Sequence, residues 1–298
     1  MIGLFKSTFK IFIIMSFSII INIHRISPNL RILICTIAKN ENKYIKEFIE
    51  HYKKLKINKI IIYDNNDING EHVEDILKNE IDNNFIKIIN FRGLQQPQFI
   101  ALNECYENYK NDSDWIAFFD IDEFLYIKKY TNILNFLSLS IFKKCQSIII
   151  NWKYYGDNNN LYYEPKPLRE RFIKEYNIEN IKSNCYFYSA AKSIIRGGLK
   201  LIWGHFPHYT NNTVNCRANG KIFKNYFSPP QYSVAYIKHY ITKSTEEFIE
   251  RLNRGDVMIK PDLNYTSEKI NYYYFLFNEK TGNKLNLFKK YKFIKIKF

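Results

Sequence analysis

Asp114-Trp115-Ile116-Ala117-Phe118-Phe119-Asp120-Ile121-Asp122-Glu123-Phe124 decides the fold. An unbroken apolar run from Trp115 to Phe119 stops at the carboxylates Asp120, Asp122 and Glu123. A strand covered on both faces carries such a run, whereas a half-solvated strand alternates, so this is a central strand of a parallel sheet. Asp120 and Asp122 fall where the strand ends. Residues two apart in extended backbone point the same way, so both carboxylates face one point in space. Two hard oxygen ligands beside a crevice suit Mg²⁺ or Mn²⁺, which keep some waters and take further ligands from the phosphates of a nucleoside diphosphate. Asp-x-Asp in a surface turn is commonplace. Against a buried strand end the carboxylates are costly until they are paired or metal-bound.

The pattern continues on both sides. Arg31 to Ala38 reads as a first strand, followed by the polar loop Lys39-Asn40-Glu41-Asn42. Tyr44, Ile45, Phe48, Ile49, Tyr52 and Leu55 recur at helical spacing, and Lys59 to Tyr63 is a second strand ending in Asp64-Asn65-Asn66-Asp67. This β-α-β unit builds parallel, right-handed topology. A short helix (73–78), a strand (86–91), and a helix over 97–110 with Phe99, Leu102, Tyr106 and Tyr109 on one face come next. Beyond the central strand lie a helix at 133–142 and a strand at 147–152. Alternation of this kind is an α/β domain with a mostly parallel sheet, whose ligands bind outside the carboxyl ends of the strands. After Trp152 the alternation fails. The sequence there predicts a polar aromatic loop (154–167), strands at 186–195 and 234–240, a His-containing turn from His205 to His208, and a helix opening on the capping box Ser244-Thr-Glu-Glu247.

The 298 residues are 46% hydrophobic, enough for a substantial core and far from a disordered composition. A net charge of +15 favours anionic partners without choosing among them. Cys35, Cys105, Cys145, Cys185 and Cys216 show no paired spacing, so neither a disulfide framework nor a zinc knuckle is expected. Residues 1–28 contain an apolar run, Ile11 to Ile23, shorter than a spanning helix needs and without a small-x-small cleavage site. It reads as an uncleaved anchor or membrane-associated helix. With the Lys-rich, aromatic tail after Lys289, it predicts a membrane-associated protein that meets an anionic surface. The expected division is 1–28, a catalytic domain over 29–260 (nucleotide half 29–152, acceptor half 153–260), and a C-terminal helix with basic tail over 261–298.

No Gly-x-Gly-x-x-Gly, Gly-Lys-Ser/Thr or Gly-x-Ser-x-Gly stands in the chain, which removes the main support for dehydrogenase, P-loop and serine-hydrolase readings. The order Ile34 to Glu41, Ile62 to Asp67, Trp115 to Phe124, then Lys192 to Arg196, His205 to His208 and Ile237 to Ser244 resembles the GT-A glycosyltransferases. It is most similar to glycosyltransferase family 92 and family-2-like bacterial relatives. The resemblance runs from about Arg31 to Asp256 and implies an α/β GT-A sheet with an α+β C-terminal elaboration. It implies that Thr36, Lys39, Asn40, Glu41 and Asp64 bind the donor nucleotide, and that Asp120 and Asp122 hold Mn²⁺ or Mg²⁺ on its diphosphate. The Gln-x-x-Arg-Trp motif of processive synthases is missing, so the implied enzyme is non-processive, and the resemblance makes it inverting.

The partners so implied are a nucleotide-sugar donor and a glycan or lipid-linked acceptor; no nucleic acid is expected. His205 or His208 is a candidate third metal ligand, and Lys192 and Arg196 are candidate phosphate contacts. Glu164, Asp256 and Glu123 are candidates for the general base by residue type alone. His239 suits a core histidine and a ligand equally, and His51 and His72 read as exposed. The rival readings are a nucleotidyltransferase, which wants a Gly- and Arg-rich loop in place of Ala38-Lys39-Asn40-Glu41, and a basic membrane- or nucleic-acid-binding module, which leaves Asp120 and Asp122 without a role.

Overall fold

The computed structural model describes residues 30–181, 186–205, 208–225, 228–254 and 274–290. The apolar segment 1–28, Cys185, Asp256 and the basic tail from 291 lie outside the described residues. Ile32–Ala38 (β1), Lys59–Asp64 (β2), Ile86–Asn90 (β3) and Trp115–Phe118 (β4) form a parallel block in the order β3-β2-β1-β4. Every residue of β1 and β4 is buried, as their continuous apolar runs require. Along β1, Ile32, Ile34 and Ala38 enter one core, while Leu33, Cys35 and Ile37 enter another on the opposite face. The period of two thus feeds both layers.

The crossover helices are Asn42–Lys54 (α1), Glu74–Asp82 (α2) and Gln98–Tyr109 (α3). α1 buries Tyr44, Ile45, Phe48, Ile49 and Tyr52, the face its spacing predicts. α3 departs from expectation: it buries Ala101, Leu102, Cys105 and Tyr106, and leaves Phe99 half exposed. A disulfide between Cys35 of β1 and Cys105 sets that rotation, and a second joins Cys145 to Cys216. The expectation of unpaired cysteines is therefore corrected. The partners are 70 and 71 residues apart, a separation carrying no local motif, and only the packing of α3 on β1 and of Asn215–Arg217 (β10) beside Ser147–Tyr154 (β6) brings them together. His51 is a second correction. α1 lies against Glu123–Ile127 (β5), so the His51 ring is half buried, with Nε2 2.9 Å from Leu125 O and Nδ1 3.1 Å from Arg169 Nη1. Burial and then the Arg169 charge push its pKa down to about 3.

Beyond β4 the sheet becomes mixed. The full order is β3-β2-β1-β4-β7-β6-β11-β5, where β7 is Ala191–Arg196 and β11 is Ala235–His239. β7 runs antiparallel to β4 and β6, and β5 antiparallel to β11. The strand expected over 186–195 is thus shorter and later, since Tyr186–Tyr188 is a 3₁₀ turn. β5 lies four places from β4, yet only residues 119–122 join them. Four strand spacings need roughly 19 Å, and five extended steps reach about 17 Å, so the sheet must curl to close the gap. The carboxylate segment bridges that curl.

Around the sheet sit Ile133–Leu137 (α4), Leu168–Arg171 (α5), the ribbon Trp203–His205 (β8) with Tyr209–Thr210 (β9), Thr245–Arg254 (α6) and Gly282–Lys290 (α7). α6 begins with the expected capping box: Ser244 N donates to Glu247 Oε2 at 3.0 Å, and Glu247 N donates to Ser244 Oγ at 3.3 Å. Among the described residues no helix is long and apolar enough to cross a membrane.

Candidate active site

Strand direction puts the ends of β1, β2, β4, β6 and β11, and the starts of β5 and β7, along one edge of the sheet. Asp120 leaves β4 with a side chain 35% exposed, the open member of the acidic segment. Lys192, near the start of β7, donates to Asp120 Oδ2 at 2.8 Å and lies 3.7 Å from Glu123 Oε1. Glu123 is fully buried at the start of β5, and its Oε2 accepts from Asp120 N at 3.1 Å. Burial raises its pKa well above the ordinary carboxylate range; Lys192 opposes the rise, and the charges of Asp120 and Asp122 add to it. Asp122 points inward, its Oδ2 accepting from Lys243 Nζ at 2.7 Å and its Oδ1 lying 3.6 Å from His239 Nε2. Burial acts to raise the Asp122 pKa, but Lys243 and its neighbours outweigh that and hold it below the usual range. His239 packs its ring 4.4 Å from Trp152, and burial lowers its pKa to about 4 against the pull of Asp122, so it is neutral at pH 7.

The loop after β1 forms the second part of the site. Asn40 has φ 51°, and its N–H donates to Asn66 Oδ1 at 2.6 Å. Arg254, from the last turn of α6, donates Nη1 to Lys39 O and to Glu41 Oε1, the latter at 2.5 Å. Lys39 Nζ is 3.6 Å from Asp67 Oδ1. Asp64 accepts Asn66 N at 3.0 Å and Arg92 Nη1 at 2.7 Å, and Arg92 also donates to the carbonyls of Asp67, Ile68, Gly70 and Glu71. Among the described residues, buried side-chain atoms without a hydrogen-bond partner occur away from this edge, as at Ser138 Oγ, Ser147 Oγ and Asn158 Oδ1, and also on it, at Thr36 Oγ1, Glu41 Oε2, Asn66 Nδ2, Thr242 Oγ1 and His239 Nδ1. Buried polar atoms are normally satisfied. The last five sit on or just beyond β1, β2 and β11, at the carboxyl edge of the sheet.

Residues 31–273 match the sequence model of glycosyltransferase family 92. The chain belongs to glycosyltransferase family 92. A family 92 protein of Oryza sativa subsp. japonica is 27% identical over 94 residues, 31% of this chain and 16% of that protein. One of Arabidopsis thaliana is 26% identical over 125 residues, 42% of this chain and 21% of its own length. The matched stretches therefore span about a fifth or less of these relatives. Among solved structures, S. aureus TarS 1–349 shares 13% identity and a TM-score of 0.36, covering 56% of this chain and 47% of TarS, a likeness too distant to carry over any residue or ligand.

In this family 92 domain the residues singled out from sequence divide by place. Thr36, Lys39, Asn40, Glu41, Asp64, Asp120, Asp122 and Lys192 gather along the carboxyl edge. Arg196 does not. It pairs with Trp115 at the opposite end of β4, stacks on that indole at 4.2 Å and donates to the carbonyls of Phe142 and Cys145, so the phosphate role proposed for it is withdrawn. Glu123 is sealed under Asp120, out of reach of an acceptor hydroxyl, and Glu164 is an exposed residue paired with Lys166 at 3.0 Å. His208 is buried, its Nδ1 hydrogen-bonded to Ala191 O and its ring 5.7 Å from Trp152. The side chain of His205 is outside the described set. Lys243, Arg254 and Arg92 were missed as site residues. Lys243 and Arg254 flank the capping-box helix, but nothing in their spacing says which carboxylate each meets.

The donor set bears on the metal. Among the described residues no three His, Cys, Asp or Glu cluster as a metal cage. Asp120 Oδ1 accepts no hydrogen bond among them, and Asp122 would have to exchange Lys243 for a cation. An ion here would have two protein carboxylates at most, Asp120 and Asp122, and would need other oxygen ligands for the rest, which Mg²⁺ and Mn²⁺ accept. The residues fit such an ion.

Proposed function

We propose that this chain is a metal-dependent, non-processive and inverting glycosyltransferase that moves a sugar from a nucleotide donor to a glycan or lipid-linked acceptor at a membrane. The observation that carries the reading is the carboxylate segment 120–123. It bridges the curl of the sheet, with Asp120 open and Asp122 and Glu123 buried behind it. Family membership supports the same chemistry. Lys39-Asn40-Glu41, fastened by Asn66 and Arg254, and the unsatisfied Thr36 and Asn66 atoms are the groups offered to base and ribose. Asp120 and Asp122 would hold Mn²⁺ or Mg²⁺, which when bound stabilises charge developing on the leaving diphosphate. Lys192, itself buried, adds a fixed positive charge beside the same oxygens, aimed where negative charge develops on the leaving diphosphate.

The test is calorimetric titration of the full chain with a panel of nucleoside diphosphates and their sugars, first with Mn²⁺ and then with EDTA. Metal-dependent binding of one nucleotide is expected and identifies the donor base. Absence of binding to all of them by a folded protein rejects the transferase reading.

A further inference from the structure

Seven non-glycine residues have positive φ among the described residues, and Lys243, at φ 57°, is the one of them that is buried. A side chain other than glycine is held there only when its surroundings over-determine it, and such strain concentrates at ligand sites. The surroundings of Lys243 are specific. Tyr240 N donates to Asp122 O at 3.1 Å, Arg251 Nη1 donates to Ile241 O at 2.7 Å, and Ser244 opens α6 through its capping box. The turn from β11 to α6 is thus fastened on both sides of Lys243. Its ammonium is directed at Asp122 Oδ2, 2.7 Å away, and over the Tyr44 ring at 5.0 Å. Thr242 Oγ1, in the same turn, is buried without a partner.

The two carboxylates are each paired: Lys192 sits on Asp120, with Glu123 also 3.7 Å away, and Lys243 sits on Asp122, which feels the charge of Arg251 as well. A nucleoside diphosphate arriving alone brings negative charge to carboxylates that are already neutralised. With a divalent cation present, Asp122 would be the group to hold it, and the Lys243 ammonium would then be released to a phosphate oxygen. A lysine suits this exchange, being a compact charge on a flexible four-carbon stem.

Resting on the transferase reading, we propose that Lys243 is a diphosphate-binding residue that guards Asp122 in the donor-free protein and transfers its ammonium to the donor's phosphates when the metal–nucleotide enters. Lys243 then competes with the metal before the donor binds and cooperates with it afterwards.

This double role gives effects of opposite sign in one variant. In Lys243→Gly the relaxed left-handed backbone offsets part of the cost of leaving the buried Asp122 carboxylate without its ammonium, and a urea melt of the variant before titration checks that it is folded. Isothermal titration with Mn²⁺ alone should show tighter binding than wild type, on the order of tenfold, because the competing ammonium is gone. Titration with the nucleoside diphosphate bound by wild type, at saturating Mn²⁺, should show binding weaker by a similar factor or more. Lys243→Arg keeps the charge and should stay within a few-fold of wild type in both titrations. Affinity for Mn²⁺ and for nucleotide falling together, or both unchanged, in Lys243→Gly overturns the proposal and leaves the transferase reading standing. A wild-type protein that binds no nucleoside diphosphate with Mn²⁺ overturns both.

Discussion

Asp120 and Asp122 are two residues apart, yet they face different losses on mutation. Asp120 is partly solvated, and its partner Lys192 also lies near Glu123, so Asp120→Asn leaves a cation that still has a carboxyl neighbour. Asp122→Asn leaves Lys243, 5% exposed in its side chain, without the carboxylate it was folded against. Breaking a buried pair from one side typically costs about 3–5 kcal/mol. We therefore expect both variants to lose metal-supported nucleotide binding. Asp120→Asn should keep its denaturation midpoint close to wild type, and Asp122→Asn should unfold at clearly lower denaturant. Urea melts beside the calorimetry separate the two losses; equal stability of the variants would show that Lys243 does not depend on Asp122. Glu123 belongs to neither case. Its burial and raised pKa suit a group that shapes the backbone of Asp120 from below.

At the scale of elements, α6 carries a buried ionic hub. Glu247 closes the capping box, accepts both guanidinium nitrogens of Arg171 at 2.7 and 2.8 Å, and accepts the Tyr44 hydroxyl at 2.7 Å. It joins the starts of α1 and α6 to the end of α5. Burial alone would raise its carboxyl, but Arg171, Ser244 and Tyr44 prevail and lower its pKa from 4.5 to about 2. A carboxyl depressed in the fold is protonated more readily in the unfolded chain. Its contribution, on the order of 3 kcal/mol, is therefore complete above about pH 4.5 and lost as pH falls toward 2. Urea titrations between pH 6 and 3 should show stability falling with acid in the wild type and a shallower slope in Glu247→Gln. Identical slopes would remove Glu247 from the acid response. The capping box itself was legible as Ser244-x-x-Glu247, because a local rule ties cap to spacing. The same holds for β1, α1, β2 and β4, where one period decides the element. Arg171 as the hub's partner was not legible, nor was the antiparallel insertion of β7, since Ala-Lys-Ser-Ile-Ile-Arg reads the same in either strand direction. Lys192 and Lys243 could be seen as cations, but their pairing with Asp120 and Asp122 comes from how the sheet curls.

For the whole molecule the same curl brings residues far apart in sequence to one edge, and two cross-links fasten it. Cys35–Cys105 ties β1, which leads into the loop at Lys39 to Glu41, to its covering helix α3, and Cys145–Cys216 ties the entry of β6 to β10 on the other side of β4. Each closes a loop of about 70 residues. On the chain-entropy account a loop of that size removes roughly 4 kcal/mol of freedom from the unfolded chain. All four cysteines are buried, so a reductant reaches them through opening of the fold. Disulfides form and persist where the surroundings are oxidising. The expectation is specific: protein denatured without reductant should present one thiol, Cys185, and a non-reducing peptide map should recover the 35–105 and 145–216 pairs. After reduction and blocking, both contributions are lost, about 8 kcal/mol together, and the melting temperature should drop by on the order of 20 °C, since about 1 kcal/mol moves a domain of this size by roughly 2–4 °C. The two cross-links should differ in what they protect. Loss of Cys35–Cys105 frees α3 and, through β1, the loop at Lys39 to Glu41, so it should weaken nucleotide binding as well as stability. Loss of Cys145–Cys216 should lower stability with nucleotide affinity retained. Five free thiols in the denatured, unreduced protein would refute both cross-links.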